Sequence, residues 1–64
     1  MENFIGKLYS VSEVAEMLNV DVKMVYLWQK EKKLPALKLG GSTWRIREQD
    51  LKLFILEAIE EGRK

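Results

Sequence analysis

The 64-residue sequence predicts a mainly α-helical domain with three helices and one small β-hairpin. Apolar residues recur at helical spacing in three stretches, at about residues 11–18, 22–33 and 48–61. Between the second and third stretches, two alternating segments flank a pair of glycines, which is typical of a hairpin at about residues 36–47. A chain of this length forms one domain, so residues 1–64 are treated as a single unit.

The first helix has a well-marked start and end. Ser10 can cap it, and Glu13 can reach back to complete a capping box. At the other end Asn19, which tolerates left-handed dihedrals, precedes the β-branched Val20, and this pair predicts a turn. Asp21 can then cap the next helix, so we expect two short helices joined by a tight turn.

The second predicted helix has two different faces. At about 100° per residue Met24, Val25 and Trp28 gather on one side, which we assign to the core. The opposite side is basic, with Leu27 at its margin, and comprises Val22, Lys23, Tyr26, Lys30 and Lys33. An open basic and aromatic face suits a DNA major groove, whereas the alternative is a solvated helix surface.

A stop signal and a hairpin follow the second helix. Leu34-Pro35 ends the helix because proline disfavours helical dihedrals before it and donates no backbone hydrogen bond. A period of two then predicts an apolar face packed on the helices and an outward basic face, the wing. The apolar face comprises Leu37, Leu39, Trp44 and Ile46, and the basic face comprises Lys38, Arg45 and Arg47. Alternatively, both arginines are strand-surface charges paired with Glu48 or Asp50.

The third predicted helix has acidic residues in its first turn and Gly62 where a left-handed cap would end it. Its apolar stripe would close the core and comprises Leu51, Phe54, Ile55, Ala58 and Ile59. Leu53 and Leu56 lie off the stripe. They either bury within the monomer or form a patch for self-association or a partner protein.

Composition and charge exclude several classes of function. The absence of His and Cys removes zinc-finger ligands, a thiol nucleophile and an imidazole base, so we expect no cofactor, no metal and no enzyme activity. The start, MENFIGK, has no signal-length apolar run, and no stretch could span a bilayer, which predicts a cytoplasmic protein without membrane contact.

Net charge is −2 before Asp21, +5 from Asp21 to Arg47 and −2 thereafter, so the basic middle third would attract an anion.

Four short motifs in register resemble a known family. V-x-E-V-A-x-x-L, V-Y-x-W, L-P-A and W-R-I occur in that order between about Leu8 and Ile55, as in the MerR-related excisionase-type DNA-binding family. The resemblance implies a winged helix-turn-helix whose second helix reads the major groove and whose wing grips the backbone. Relatives often have arginine or another polar residue at the positions of Val22 and Leu27. They commonly have glycine at the position of Lys32, so the lysine indicates that the second helix ends differently here.

Two functions from different classes remain open at this point. The first is sequence-specific binding of double-stranded DNA, as a recombination directionality factor, a small transcription regulator or part of a larger phage protein such as a terminase small subunit. The second is a protein-interaction winged helix that uses Val22, Leu27, Leu53 and Leu56. MerR regulators proper carry a long dimerisation helix and an effector domain, which this sequence lacks, so no small-molecule effector is expected. The candidate DNA-binding residues are Val22, Lys23, Tyr26, Leu27, Lys30, Lys33, Lys38, Arg45 and Arg47.

Overall fold

A computed structural model of the protein describes residues 6–63. Residues 1–5, on which the expectation of no signal sequence mainly rests, lie outside the described residues. Residue 64, the last residue of the expected single domain, also lies outside them. The elements in chain order are β1 (Leu8–Ser10), α1 (Val11–Leu18), α2 (Val22–Lys30), β2 (Leu37–Leu39), β3 (Thr43–Arg47) and α3 (Glu48–Arg63). Within residues 6–63 three helices and a three-stranded antiparallel sheet form a winged helix-turn-helix, which confirms the predicted fold.

The start of α1 and the turn between α1 and α2 are built as predicted. Ser10 Oγ accepts the Glu13 N–H at 3.0 Å, and Glu13 Oε1 accepts the Ser10 N–H at 2.8 Å. Asn19 ends α1 in the left-handed region at φ 57°, and Asp21 caps α2 by accepting the Lys23 N–H at 3.5 Å. The capping box, the left-handed turn residue and the second cap are therefore confirmed.

Helix α2 ends at Lys30, earlier than the expected end near Lys33. Lys32 adopts φ 64°, and the Lys33 N–H donates to the Trp28 carbonyl at 2.9 Å to close the last turn. Glycine is usual at such a left-handed position after a helix. The expectation of a longer helix is wrong because Lys32 takes the glycine-like conformation that terminates it.

The core lies where α1, α2 and the sheet meet. Its buried residues are Val11, Val14, Ala15, Val25, Leu34, Ile46 and Leu51. Trp28 and Trp44 are half-buried and pack against this cluster, which agrees with their assignment to the core. Leu34 is fully buried, so the irregular segment after α2 is anchored where the chain turns toward the wing.

The orientation of α2 differs from the expected one. Met24, assigned to the core, is 39% exposed, whereas Val22, assigned to the open face, is half-buried and packs against the core. Val22, Val25 and Trp28, spaced three residues apart, form the packed ridge. The helix is therefore rotated so that the side of Val22 faces inward, and the side of Met24 faces outward.

The register of the hairpin corrects the predicted assignment of its two faces. Lys38 lies opposite Trp44, and Leu37 lies opposite Arg45, with β3 between β1 and β2 in the sheet. Opposed residues share a face, so Lys38 lies with Trp44 and Ile46, while both leucines of β2 lie with Arg45. The prediction is wrong because Leu39 pairs with Thr43 across the three-residue turn 40–42, so the odd-numbered residues of both strands share one face and the even-numbered residues share the other. The positive φ angles of Gly40 and Gly41 make this short turn possible.

Strand β1 pairs with β3 and forms one edge of the sheet. Tyr9 lies opposite Ile46 and packs against the core. Its hydroxyl donates to Glu48 Oε2 at 3.1 Å, and the Glu48 N–H donates to the Lys7 carbonyl at 2.9 Å. These two bonds tie the edge of the sheet to the start of α3.

Only the first half of α3 packs as predicted. Leu51 is buried, and Phe54 and Ile55 are half-buried, with the Phe54 ring centroid 4.8 Å from that of Trp28. Ala58 and Ile59, expected in the packed stripe, are exposed. Leu53 and Leu56 are 60% and 58% exposed, so they do not bury within the monomer.

The end of α3 also differs from the expected one. Gly62 lies inside the helix, which continues to Arg63, and its φ is not left-handed, so the predicted glycine cap is wrong. None of the helices among the described residues is both long and apolar enough to cross a membrane.

Candidate nucleic-acid interface

Helix α2 presents one open face. Lys23, Tyr26, Leu27 and Lys30 are all exposed, with exposed fractions of 47% for Tyr26 and 43% for Leu27. Their spacing of three, four and seven residues from Lys23 places them on one side of the helix. Four of the residues named from the sequence therefore share a face that solvent reaches.

A cleft of about 580 Å³ lies between the C-terminal half of α2 and the wing. We call it the α2–wing cleft; it is lined by Tyr26, Gln29, Lys30, Lys32, Pro35, Ala36 and Trp44. Two aromatic rings and two lysines line it, and none of these lining residues is acidic. The cleft can therefore offer hydrogen-bond donors and positive charge to a ligand without an internal anion to compete.

A second, shallower hollow of about 310 Å³ continues the surface toward the tip of the wing. We call it the wing hollow; it is lined by Ser10, Val11, Ser12, Tyr26, Ser42, Thr43, Trp44 and Arg45. Tyr26 and Trp44 border both the cleft and the hollow. The cationic groups of Lys30 and Arg45, from separate elements, consequently flank one continuous surface.

Arg45 lies on this surface without an acidic partner within ion-pair distance among residues 6–63. Its Nη1 donates to the Trp44 carbonyl at 2.7 Å, which holds the guanidinium near the strand. Glu13 is close enough for the charge of Arg45 to contribute to lowering the pKa of that carboxyl, after the larger effect of the Ser10 N–H. Arg45 thus retains donors for an external acceptor.

Lys38 lies on the same surface through a contact with Trp44 that the sequence did not indicate. Its Nζ lies 5.6 Å from the centroid of the Trp44 ring, as a cation–π contact requires. This contact follows from the observed register, which puts Lys38 opposite Trp44. Lys38 therefore reaches the surface through Trp44 rather than by sharing a strand face with Arg45.

Three of the residues named from the sequence lie apart from this surface. Arg47 is paired with Asp50, with Nε 2.6 Å from Oδ2, so the surface-pair alternative is realised for this arginine. Lys33 lies 3.5 Å from Glu31 and lines a different groove, of which the other members are Trp28, Phe54, Glu57, Ala58, Glu60 and Glu61. Val22 is half-buried against the core. The charges of Arg47 and Lys33 are therefore partly balanced by Asp50 and Glu31.

Besides Pro35 and Ala36, three residues of the cleft are not assigned to a site by the sequence. Lys32 was noted only as a departure from glycine, and Trp44 was assigned to the core alone. Gln29 has no role in the sequence prediction, and its Nε2 is buried and has no hydrogen-bond acceptor among the described residues. The glycine position at Lys32 was the one signal that pointed to an unusual residue here. No cluster of metal-ligating side chains occurs in the part of the chain that the structure describes.

Comparison with known proteins gives one family. The sequence profile of a family described as a helix-turn-helix domain matches residues 8–58. No curated protein gives a significant match. The matched range contains both helices of the helix-turn-helix, the wing and most of α3, and so it includes all the residues that line the cleft and the hollow.

Proposed function

The chain belongs to the helix-turn-helix domain family, of the excisionase type, and from this premise we propose that it binds double-stranded DNA in a sequence-specific manner. In this proposal α2 enters the major groove and the wing contacts the backbone or the adjacent minor groove. The activity is that of a binding domain and not of an enzyme.

The observation that carries the proposal is the joining of α2 and the wing into one cationic surface. Lys30 and Lys32 line the cleft, and Arg45 lines the hollow that shares Tyr26 and Trp44 with it. No acidic residue lines either depression. A surface that combines a protruding helix face with flanking cations suits a duplex, whose grooves are bordered by phosphates.

Within the surface the two elements have different tasks. Lys23, Tyr26 and Lys30 on α2 offer polar groups to base edges, and Leu27 can contact a thymine methyl group. Lys38 and Arg45 on the wing contact phosphates, which positions the protein without reading sequence. Sequence preference is therefore expected to depend on α2, and overall affinity on both elements.

The proposed role is that of a recombination directionality factor or a small transcription regulator, with the DNA-reading part of a larger phage protein as the alternative. The proposal includes self-association on DNA or contact with a partner protein such as a recombinase. The exposed side chains of Leu53, Leu56 and Ile59, at successive spacings of three on α3, support a contact of this kind.

A protein-interaction winged helix is the second candidate function. It is favoured by the exposure of Leu27, Leu53 and Leu56. Val22, which was expected to belong to the same contact surface, packs against the core instead. The cationic surface has no task in this second proposal, which is why DNA binding is preferred.

Selection from a pool of random-sequence duplexes tests the proposed function. We expect enrichment of a short motif, with protection of guanine N7 atoms from methylation inside it, because N7 faces the major groove. Recovery of no motif would remove the claim of sequence specificity. Guanine N7 atoms that stay reactive throughout the bound site would remove the claim that α2 occupies the major groove.

A further inference from the structure

We propose that Lys32, in the turn that follows α2, binds a backbone phosphate of the DNA at the mouth of the α2–wing cleft. The inference rests on the proposed function and adds a contact residue to it. Lys32 belongs neither to the helix face nor to the wing strands. It would contact the strand between the points that those two elements reach.

The backbone at Lys32 is the first argument. Asn19 and Lys32 are the non-glycine residues with positive φ among residues 6–63, at 57° and 64°. Asparagine tolerates this region through its short polar side chain, but a lysine there has its Cβ close to the following carbonyl oxygen. Glycine would avoid that cost, so a lysine at this position goes against the local preference of the backbone.

Nothing inside the protein accounts for this lysine. Lys32 is exposed, and within the described residues its ammonium group forms no ion pair and its side chain donates no hydrogen bond. A residue held in a strained conformation with no internal partner is typical of a ligand site. The ligand must accept hydrogen bonds or carry negative charge, because an ammonium group has donors only.

The surroundings of Lys32 indicate which ligand this is. Lys30 and Tyr26 also line the cleft, and both side chains carry hydrogen-bond donors. Donors and positive charge at an open cleft without acids match a phosphodiester group. With α2 in the major groove and the wing on the flanking backbone, a phosphate of the intervening strand would pass this cleft.

The neighbouring residue provides a matched control. Lys33 carries the same charge and is also exposed, but its Nζ lies 3.5 Å from Glu31. It lines the separate groove that contains Glu57, Glu60 and Glu61. Removal of Lys33 therefore changes the net charge as much as removal of Lys32 does, but on a different surface.

The experiment compares the wild-type chain with Lys32→Ala, Lys32→Gly and Lys33→Ala. Affinity is measured by fluorescence anisotropy at several salt concentrations, for a selected duplex and for a random-sequence duplex, together with the melting temperature of each variant. Both Lys32 variants should bind both duplexes several-fold more weakly, with the salt dependence of log affinity reduced by about one unit. Lys33→Ala should bind nearly as the wild type does. Lys32→Gly should melt a few degrees higher than the wild type because it relieves the left-handed strain.

The outcomes separate this inference from the proposed function. Two results would overturn the role of Lys32 and leave DNA binding in place, both with steep salt-dependent binding by the wild type. In one, Lys32→Ala loses no affinity; in the other, Lys33→Ala loses as much affinity as Lys32→Ala. A lower melting temperature for Lys32→Gly overturns the strain argument, since the lysine would then stabilise the fold. Failure of the wild type to bind either duplex overturns the proposed function and this contact with it.

Discussion

Arg47 and Asp50 form a two-point ion pair, with Nε 2.6 Å from Oδ2 and Nη2 3.0 Å from Oδ1. The pair joins the last residue of β3 to the first turn of α3, where the Asp50 side chain is only 10% exposed. The hydrogen bonds and charge of Asp50 raise the pKa of Arg47. Arg47 therefore holds the wing to the third helix, whatever it contributes toward DNA.

The first prediction concerns this pair. Arg47→Ala should lower the melting temperature by several degrees because it leaves the nearly buried Asp50 carboxylate without its partner. Thermal unfolding followed by circular dichroism measures the effect. The double variant Arg47→Ala/Asp50→Ala should lose less than the two single losses combined, since the pair acts as a unit. Strictly additive losses would mean that the two side chains do not support each other.

The second prediction concerns the other arginine of β3. Arg45→Ala should weaken binding to all duplex sequences about equally and leave the melting temperature nearly unchanged, because Arg45 has no ion pair within residues 6–63. Titration of a selected and a random-sequence duplex measures the loss. A change confined to which sequence is preferred would show that the wing reads bases and does not simply grip the backbone.

The third prediction concerns the open face of α2. Tyr26→Ala and Lys30→Ala should each cost about 1–3 kcal/mol of binding at the preferred sequence, as the loss of one good groove contact does. Both residues are exposed, so the fold should be unaffected. Lys33→Ala is the charge-matched control for Lys30→Ala because it lies on another groove. Unchanged binding in both test variants would favour the protein-interaction function.

The fourth prediction is a pH dependence of stability at the start of α1. The backbone N–H of Ser10 is the main cause that lowers the pKa of Glu13 from its usual 4.5. A lowered pKa in the folded state stabilises the fold fully above the usual value, and this stabilisation is lost as the pH falls through the folded-state pKa. Glu13→Gln removes the titrating group, so the advantage of the wild type in melting temperature should shrink below about pH 4.5. An advantage that stays constant to lower pH would contradict the capping-box contribution of the carboxylate.

Features set by neighbours in the sequence were predictable. The bond partners Ser10 and Glu13 are three residues apart, and Asp21 caps the helix that begins at the next residue, so residue types alone identified both helix starts. Helical spacing in the same way placed Lys23, Tyr26 and Lys30 on one face of α2, but it wrongly added Val22 to that face. These contacts do not depend on how distant parts of the chain pack.

Features set by distant packing were not predictable. Alternation places both leucines of β2 on one face in either register, and only the pairing across the hairpin, with Leu39 opposite Thr43, decides which residues of β3 share that face. The contact of Lys38 with Trp44 depends on that choice. The sequence predicts Lys33 on the DNA-binding face because nothing in it shows that α2 ends early. The helix ends where Lys32 adopts a left-handed conformation, which is usual for glycine and not for lysine.

The central claim is that cations of α2, its following turn and the wing act as one DNA-binding surface. The most direct test is the affinity of the wild-type protein for one DNA duplex at a low and a high salt concentration. If Lys32, Lys38 and Arg45 contact phosphates together, log affinity should fall with log salt concentration with a slope of about −2.7, which is about −0.9 for each phosphate contact. The same affinity at both salt concentrations would contradict the claim.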